Sequence, residues 1–210
     1  MRRIILLSVV SLICNLPCAA QTPSFEDALG SFRQDIHEQR AARLQSKDAR
    51  HASDLHRAAR EADSMAWEAS RLRSTVSDVR RRAQNASRDN GQQPDRQDPF
   101  LRNEVRRLVW DLRDFNQRVG RTADDVSRIQ RSITEKDPEL VSPAMNLSRA
   151  ARQLASDARW MSDEARWAAF DLRRAGFNFE SWDVERESEG AESSARRLES
   201  DAQRILSQVR

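Results

Sequence analysis

Between residues 98 and 133 the apolar side chains return at alternating steps of three and four: Leu101, Val105, Leu108, Leu112, Phe115, Val119, semi-polar Thr122, Val126, Ile129 and Ile133. A strand would alternate every second residue, and a fully buried helix would be apolar on all sides. This spacing predicts a long amphipathic helix packed along one stripe. Its partners have to come from the rest of the chain or from another copy of it.

The same grammar recurs on both sides. Leu55, Ala58, Ala62, Met65, Ala69, Leu72, Val76, Val79, Ala83 and Ala86 form a seam that stops at Asp89-Asn90-Gly91, where Gly91 suits the left-handed conformation that ends helices. A third seam, Leu147, Ala151, Leu154, Ala158, Met161, Ala165, Ala168, Leu172 and Ala175, is expected to open at Ser142-Pro143 and close at Arg173-Arg174 before Gly176. A fourth, expected to start near Ser181, carries Val184, Ser188, Ala191, Ala195, Leu198, Ala202, Ile205 and Val209. The linker 90–98 reads as a turn, Asp98-Pro99 as an N-cap with proline in the first helical position, and Asp137-Pro138 as the stop of the second helix. Gly120, inside that helix, is expected to mark close approach of a neighbour.

Upstream, Ser24 and Asp27 can cap a helix opening at Phe25, and Phe25, Leu29, Phe32 and Ile36 form a short seam of their own. The pattern then lapses until Leu55. Without a break the first helix would span about 65 residues, or about 97 Å, against about 55 Å for the second. A bend is therefore expected in the polar patch Gln45-Ser46-Lys47-Asp48. Residues 21–50 read as an N-terminal helical arm, with Phe25, Leu29, Phe32, Ile36 and Leu44 as candidate partner-binding residues, and residues 51–210 as the bundle domain. The fold class is all-α: an elongated antiparallel bundle of about four long helices with coiled-coil-like seams.

The first twenty residues stand apart. Arg2 and Arg3 precede the apolar run Ile4 to Ile13, and Cys18-Ala19-Ala20 places small residues before Gln21, the pattern of a cleavable export signal cut between Ala20 and Gln21. Asn15 and Pro17 interrupt the run too early for an anchoring helix, and Pro17 disfavours lipidation at Cys18. Both cysteines fall inside this segment, so the chain after it offers no thiol for a disulfide or a metal. The segment also changes the charge. The full chain carries 36 Lys+Arg against 33 Asp+Glu, and losing Arg2 and Arg3 leaves 34 against 33. Nucleic-acid binding, which draws its affinity from a cationic surplus, is not expected.

Charge is nonetheless uneven along the chain. Residues 70–107 hold ten Arg against five acids, and residues 180–201 hold eight acids against three Arg. The two segments are expected to lie near each other in the bundle or across a dimer. Trp160 and Trp167, seven apart and one position before seam residues, form a candidate aromatic flank; packing beside the small alanine seam is favoured over a ligand strip. Trp110-Asp111-Leu112-Arg113 and Phe170-Asp171-Leu172-Arg173 resemble each other, through a duplicated hairpin or through shared heptad grammar.

Reactive chemistry is sparse. His37, His51 and His56 share one helix, and His51 and His56 point about 140° apart, so they cannot jointly hold a metal there. Adjacent acids such as Asp124-Asp125 and Asp163-Glu164 diverge by about 100° and are expected on solvated faces. Asn85-Ala86-Ser87 and Asn146-Leu147-Ser148 have the form of glycosylation acceptors. The expectation is a secreted or periplasmic, non-enzymatic helical scaffold or interaction module. It takes no cofactor, metal or small-molecule substrate, and engages a protein partner or itself through helix seams. A peripheral lipid-surface protein is the second reading.

Overall fold

Local signals fix the helix ends before packing is considered. The computed structural model describes residues 25–89, 99–133 and 136–210; side chains before Lys47 are described only at positions 32–34 and 36–39, and that of Asp89 is not described. These residues form four helices: α1 (Phe25–Asp89), α2 (Pro99–Ser132), α3 (Pro138–Arg174) and α4 (Asn178–Val209). The export signal with its Ala20-Gln21 junction, the Gly91 stop and the linker 90–98 lie outside the described residues.

Two boundaries differ from expectation. Helix α3 starts at Pro138, not at Ser142-Pro143, because the Asp137 carboxylate accepts the Glu139 backbone N–H at 2.8 Å and Pro138 takes the first position. Pro143 is then buried in the second turn. It removes only the hydrogen bond to the carbonyl of exposed Glu139, which water can satisfy. Helix α4 starts at Asn178, three residues before Ser181. Between them Gly176 adopts φ 90°, its N–H donates to Arg173 O, and the Phe177 N–H donates to Leu172 O. That is the Schellman arrangement, with Phe177 buried as its hydrophobic partner.

Helix α1 continues through Gln45–Asp48 without interruption; no proline or glycine is there to break it. The chain divides into two units, Met1–Ser46 and Lys47–Arg210. In the first, Phe32 and Ile36 are 61% and 49% exposed. In the second, the four helices form the bundle.

Cross-helix pairs give its order. Glu68 of α1 pairs with Arg118 of α2, and Arg82 with Glu104, so the two helices run antiparallel. Arg73 lies over Trp160 and Arg80 over Trp167, seven residues further on both helices, so α1 and α3 run parallel. Arg113 with Glu187 and Ser127 with Asp201 set α2 parallel to α4, and Arg173 with Glu185 and Arg152 with Glu199 set α3 antiparallel to α4. Around the core the order is therefore α1, α2, α4, α3: two antiparallel hairpins side by side, joined across a diagonal by the α2–α3 connection.

The seams are the core. Every seam residue from Leu55 to Ala83, from Leu101 to Ile133, from Leu147 to Ala175 and from Val184 to Val209 is buried, and Ala86 is partly buried against them. The bulk comes from leucines with Phe115 and Phe177, and alanines fill the α3 side, which lets backbones approach. The core contains none of the five tryptophans.

Candidate functional site

With its core filled by Leu, Val and Ala, the bundle has no interior place for its tryptophans. Trp67, Trp110, Trp160, Trp167 and Trp182 are all exposed, from 55% at Trp160 to 69% at Trp67, as are Phe100, Phe170 and Phe179. The pairings given above bring all eight to the same half of the bundle. Trp67 precedes the last turns of α1; Phe100 and Trp110 lie on the antiparallel start of α2; Trp160, Trp167 and Phe170 lie on the second half of α3; Phe179 and Trp182 open α4. From residue 116 to 159, and after residue 182, the sequence has no Phe or Trp.

An arginine lies over each indole. Arg71 is over Trp67, Arg73 over Trp160, Arg80 over Trp167, Arg113 over Trp110 and Arg173 over Trp182, at 5.2–5.9 Å from the ring centres, and Arg174 covers Phe170. Six such pairs in 210 residues are about twice the ordinary density. Each contributes roughly 0.5–1 kcal/mol at an exposed site. Their larger effect is to hold the rings in place with one face still open.

Two polar clamps support this half from below. Arg80 of α1 donates to Asp171 Oδ2 and Glu164 Oε1 of α3, both at 3.1 Å, and Gln84 donates to the same Asp171 oxygen at 2.8 Å. Burial opposes the charge on Arg80, but the two carboxylates outweigh it and raise its pKa. Across the bundle, Glu187 of α4 accepts from Asn116 at 2.9 Å, Arg186 at 3.1 Å and Arg113 at 3.4 Å. Burial disfavours its charged form, yet these donors together hold the carboxyl below its ordinary range.

Open grooves run between the helices. One of about 430 Å3 between α1 and α2 is lined by Arg71, Arg82 and Arg107 with Asp78, Glu104 and Asp111, over Leu72, Val79 and Leu108. Another of about 680 Å3, between α3 and α4, runs beside Trp160.

The sequence-derived residues fall as follows. Trp160 and Trp167 do flank α3, toward α1, but on the exposed side rather than beneath a neighbour. Phe32 and Ile36 of the arm are exposed, while the side chains of Phe25, Leu29 and Leu44 lie outside the described residues. The expected nearness of segments 70–107 and 180–201 is corrected for the α1 part of the first segment; its residues 99–107 lie on α2, the neighbour of α4. Arg80 goes to α3, and the acids of early α4 pair with Arg113, Arg166 and Arg173, because α1 and α4 lie on a diagonal. Glu164 is not on a solvated face but turned to Arg80.

Gly120 meets only an ordinary contact, 3.9 Å from Ser194 Oγ to an added Cβ. The tight approach is at Gly190, where a Cβ would come 2.7 Å from Asn116 Nδ2. The two similar tetrapeptides lie on diagonal helices: Leu112 and Leu172 are both core, while Asp171 is clamped to Arg80 and Asp111 lines a groove. His51 bonds Ser132 Oγ at 3.0 Å, and His56 lines an open groove with Asn146.

Trp67, Trp110 and Trp182 were missed as site residues. Their signal was available in the sequence: each stands off its seam, with an arginine three or four residues further on, Arg71, Arg113 and Arg186. Among the described residues no three His, Cys, Asp or Glu side chains group as a metal site, and no helix is long and apolar enough to cross a membrane. Comparison with protein-family models, curated proteins and solved structures gives no match.

Proposed function

We propose that this chain is an exported, non-enzymatic helical-bundle module that binds a protein partner through the aromatic half of its surface. One observation carries the reading: every tryptophan is on the outside, in one half, with an arginine over it. Trp and Arg are the residues most enriched at the energetic centres of protein interfaces, and a guanidinium stacked on an indole arrives with its rotamers already ordered. A core that needed tryptophan would have taken it inside.

The experiment is crosslinking of the processed chain in its native compartment, with Trp67, Trp110, Trp160, Trp167 and Trp182 replaced by Ala in groups. Loss of specific crosslinks with unchanged helicity and unfolding supports the reading; unchanged crosslinks reject it. Deleting residues 25–44 tests separately whether the arm takes part. The same exposed indoles favour a second reading, a lipid-surface protein. Flotation of the processed chain with anionic phospholipid vesicles, abolished by the same replacements, would put that reading first.

A further inference from the structure

A groove of about 710 Å3 between α1 and α3 is lined by Ser53, His56, Arg60 and Asp63 on one side and Asn146 and Arg149 on the other, over Ala59 and Ala150. In the two grooves described above, arginines are paired with carboxylates, Arg82 with Glu104 and Arg152 with Glu199. Here none of the six polar side chains makes a hydrogen bond or an ion pair among the described residues. The register of the helices brings the two cations level. Gln84 meets Asp171, 87 residues on, and Arg73 and Arg80 lie over Trp160 and Trp167 at the same interval. Along parallel helices this puts Arg60 level with Leu147, between Asn146 and Arg149, and sets Arg149 only about 3 Å further along the axis. Buried Ala59 and Ala150 form the floor, so no bulky side chain stands between the two arginines. Two positive charges thus flank one groove with no carboxylate on either. Asp63, its one acid, lies a turn beyond Arg60 and pairs with neither.

We propose that this groove binds a phosphate group carried on a small hydroxylated molecule. Like charges held side by side repel, and an anion between them replaces that repulsion with two attractions. Guanidinium forks bond phosphate oxygens two at a time. His56, one turn before Arg60, can add a ring N–H, and Asn146 an amide N–H. Two forks and two further donors exceed what the two oxygens of a carboxylate can accept, and suit the three acceptor oxygens of a phosphate. Asp63 only accepts, so it repels the phosphate and takes a hydroxyl instead. The ligand is therefore oriented with its phosphate toward His56 and its hydroxyls toward Asp63, and the groove leaves room for both. This goes beyond the protein-interaction reading and does not depend on it, since the groove lies in the half of the bundle without Phe or Trp.

The test is calorimetric titration of the chain at low salt with glycerol phosphate, inorganic phosphate and glycerol. The expected result is saturable binding of glycerol phosphate, tighter than that of inorganic phosphate, and none of glycerol. Arg60→Ala and Arg149→Ala each weaken it about tenfold. Asp63→Ala narrows the preference over inorganic phosphate. Arg81→Ala, which removes an exposed arginine elsewhere on α1, leaves binding unchanged. All four positions are exposed, and circular dichroism checks that each variant keeps its helices. Flotation with phosphatidylglycerol or phosphatidylcholine vesicles separates the sources. Binding to phosphatidylglycerol alone, lost with Arg60→Ala and Arg149→Ala and without binding of free glycerol phosphate, assigns a lipid headgroup; binding of the free compound assigns a soluble ligand. No binding in either arm, an equal loss in Arg81→Ala, or inorganic phosphate held as tightly as glycerol phosphate each overturns the proposal. Replacing the five tryptophans leaves binding of free glycerol phosphate unchanged, so this site and the protein-interaction reading fail separately.

Discussion

The two halves of the bundle share a core and differ in what they show to solvent. In the half containing residues 47–66, 120–132, 138–154 and 194–209, Ala, Leu, Val and Ile seams are closed by polar side chains, and no Phe or Trp is present. The other half closes the same seams and then adds eight exposed rings, with Arg80 clamped to Asp171 and Glu187 held by three donors. Since the first half packs without aromatics, packing does not require them in the second. Surface aromatics that the fold does not need are the best pointer to what the fold is for.

The comparison has consequences that can be measured. The largest is that core truncation is costly in both halves. Phe115→Ala in the aromatic half is expected to lose about 3–5 kcal/mol and Leu154→Ala in the other about 2–5 kcal/mol by chemical denaturation. A near-neutral Leu154→Ala would show that the aromatic-free half is not tightly packed.

Next is the clamp. Asp171→Ala removes the shared acceptor of Arg80 and Gln84 and is expected to destabilise by about 2–3 kcal/mol in thermal unfolding. Glu164→Ala, whose carboxylate is more exposed, should cost less.

Glu187 adds a pH dependence. Its folded pKa is lowered, so its contribution is complete above the unfolded carboxylate range and is lost as pH falls through the folded value. Glu187→Gln is expected to cost about 1.5 kcal/mol at neutral pH. It should also flatten the fall of Tm in acid; a slope identical to the parent's would assign the acid sensitivity to other carboxylates. The smallest effect is Trp160→Ala, which loses only the Arg73 stack, about 0.5–1 kcal/mol. A much larger loss would mean that Trp160 packs inside and would erase the contrast between the halves.

The seams were legible because period is a one-dimensional property. Leu101 to Ile133 could be read without knowing any neighbour, and all ten of those residues are buried. Helix ends were harder where two caps competed: Asp137-Pro138 and Ser142-Pro143 carry the same signature, and only Asp137 caps. Helix order was not readable. Seams say that helices pack, not which ones, so residues 70–89 of α1 were matched by charge with residues 180–201 of α4, although those two helices lie on a diagonal. Gly190 was overlooked and Gly120 chosen for the same reason, since close approach belongs to a pair of helices. The aromatic half is likewise three-dimensional: Trp67 and Trp182 are far apart in the chain and come to one half only once the hairpins lie side by side.

The most direct measurement is the intrinsic fluorescence of the chain in dilute solution. With all five indoles on the outside of a folded bundle, emission is expected at the red-shifted position of hydrated tryptophan. It should be quenched efficiently by acrylamide and move little as ellipticity is lost on denaturation. Blue-shifted, quencher-protected emission that moves sharply to the red on unfolding would place tryptophans in the core and contradict the account.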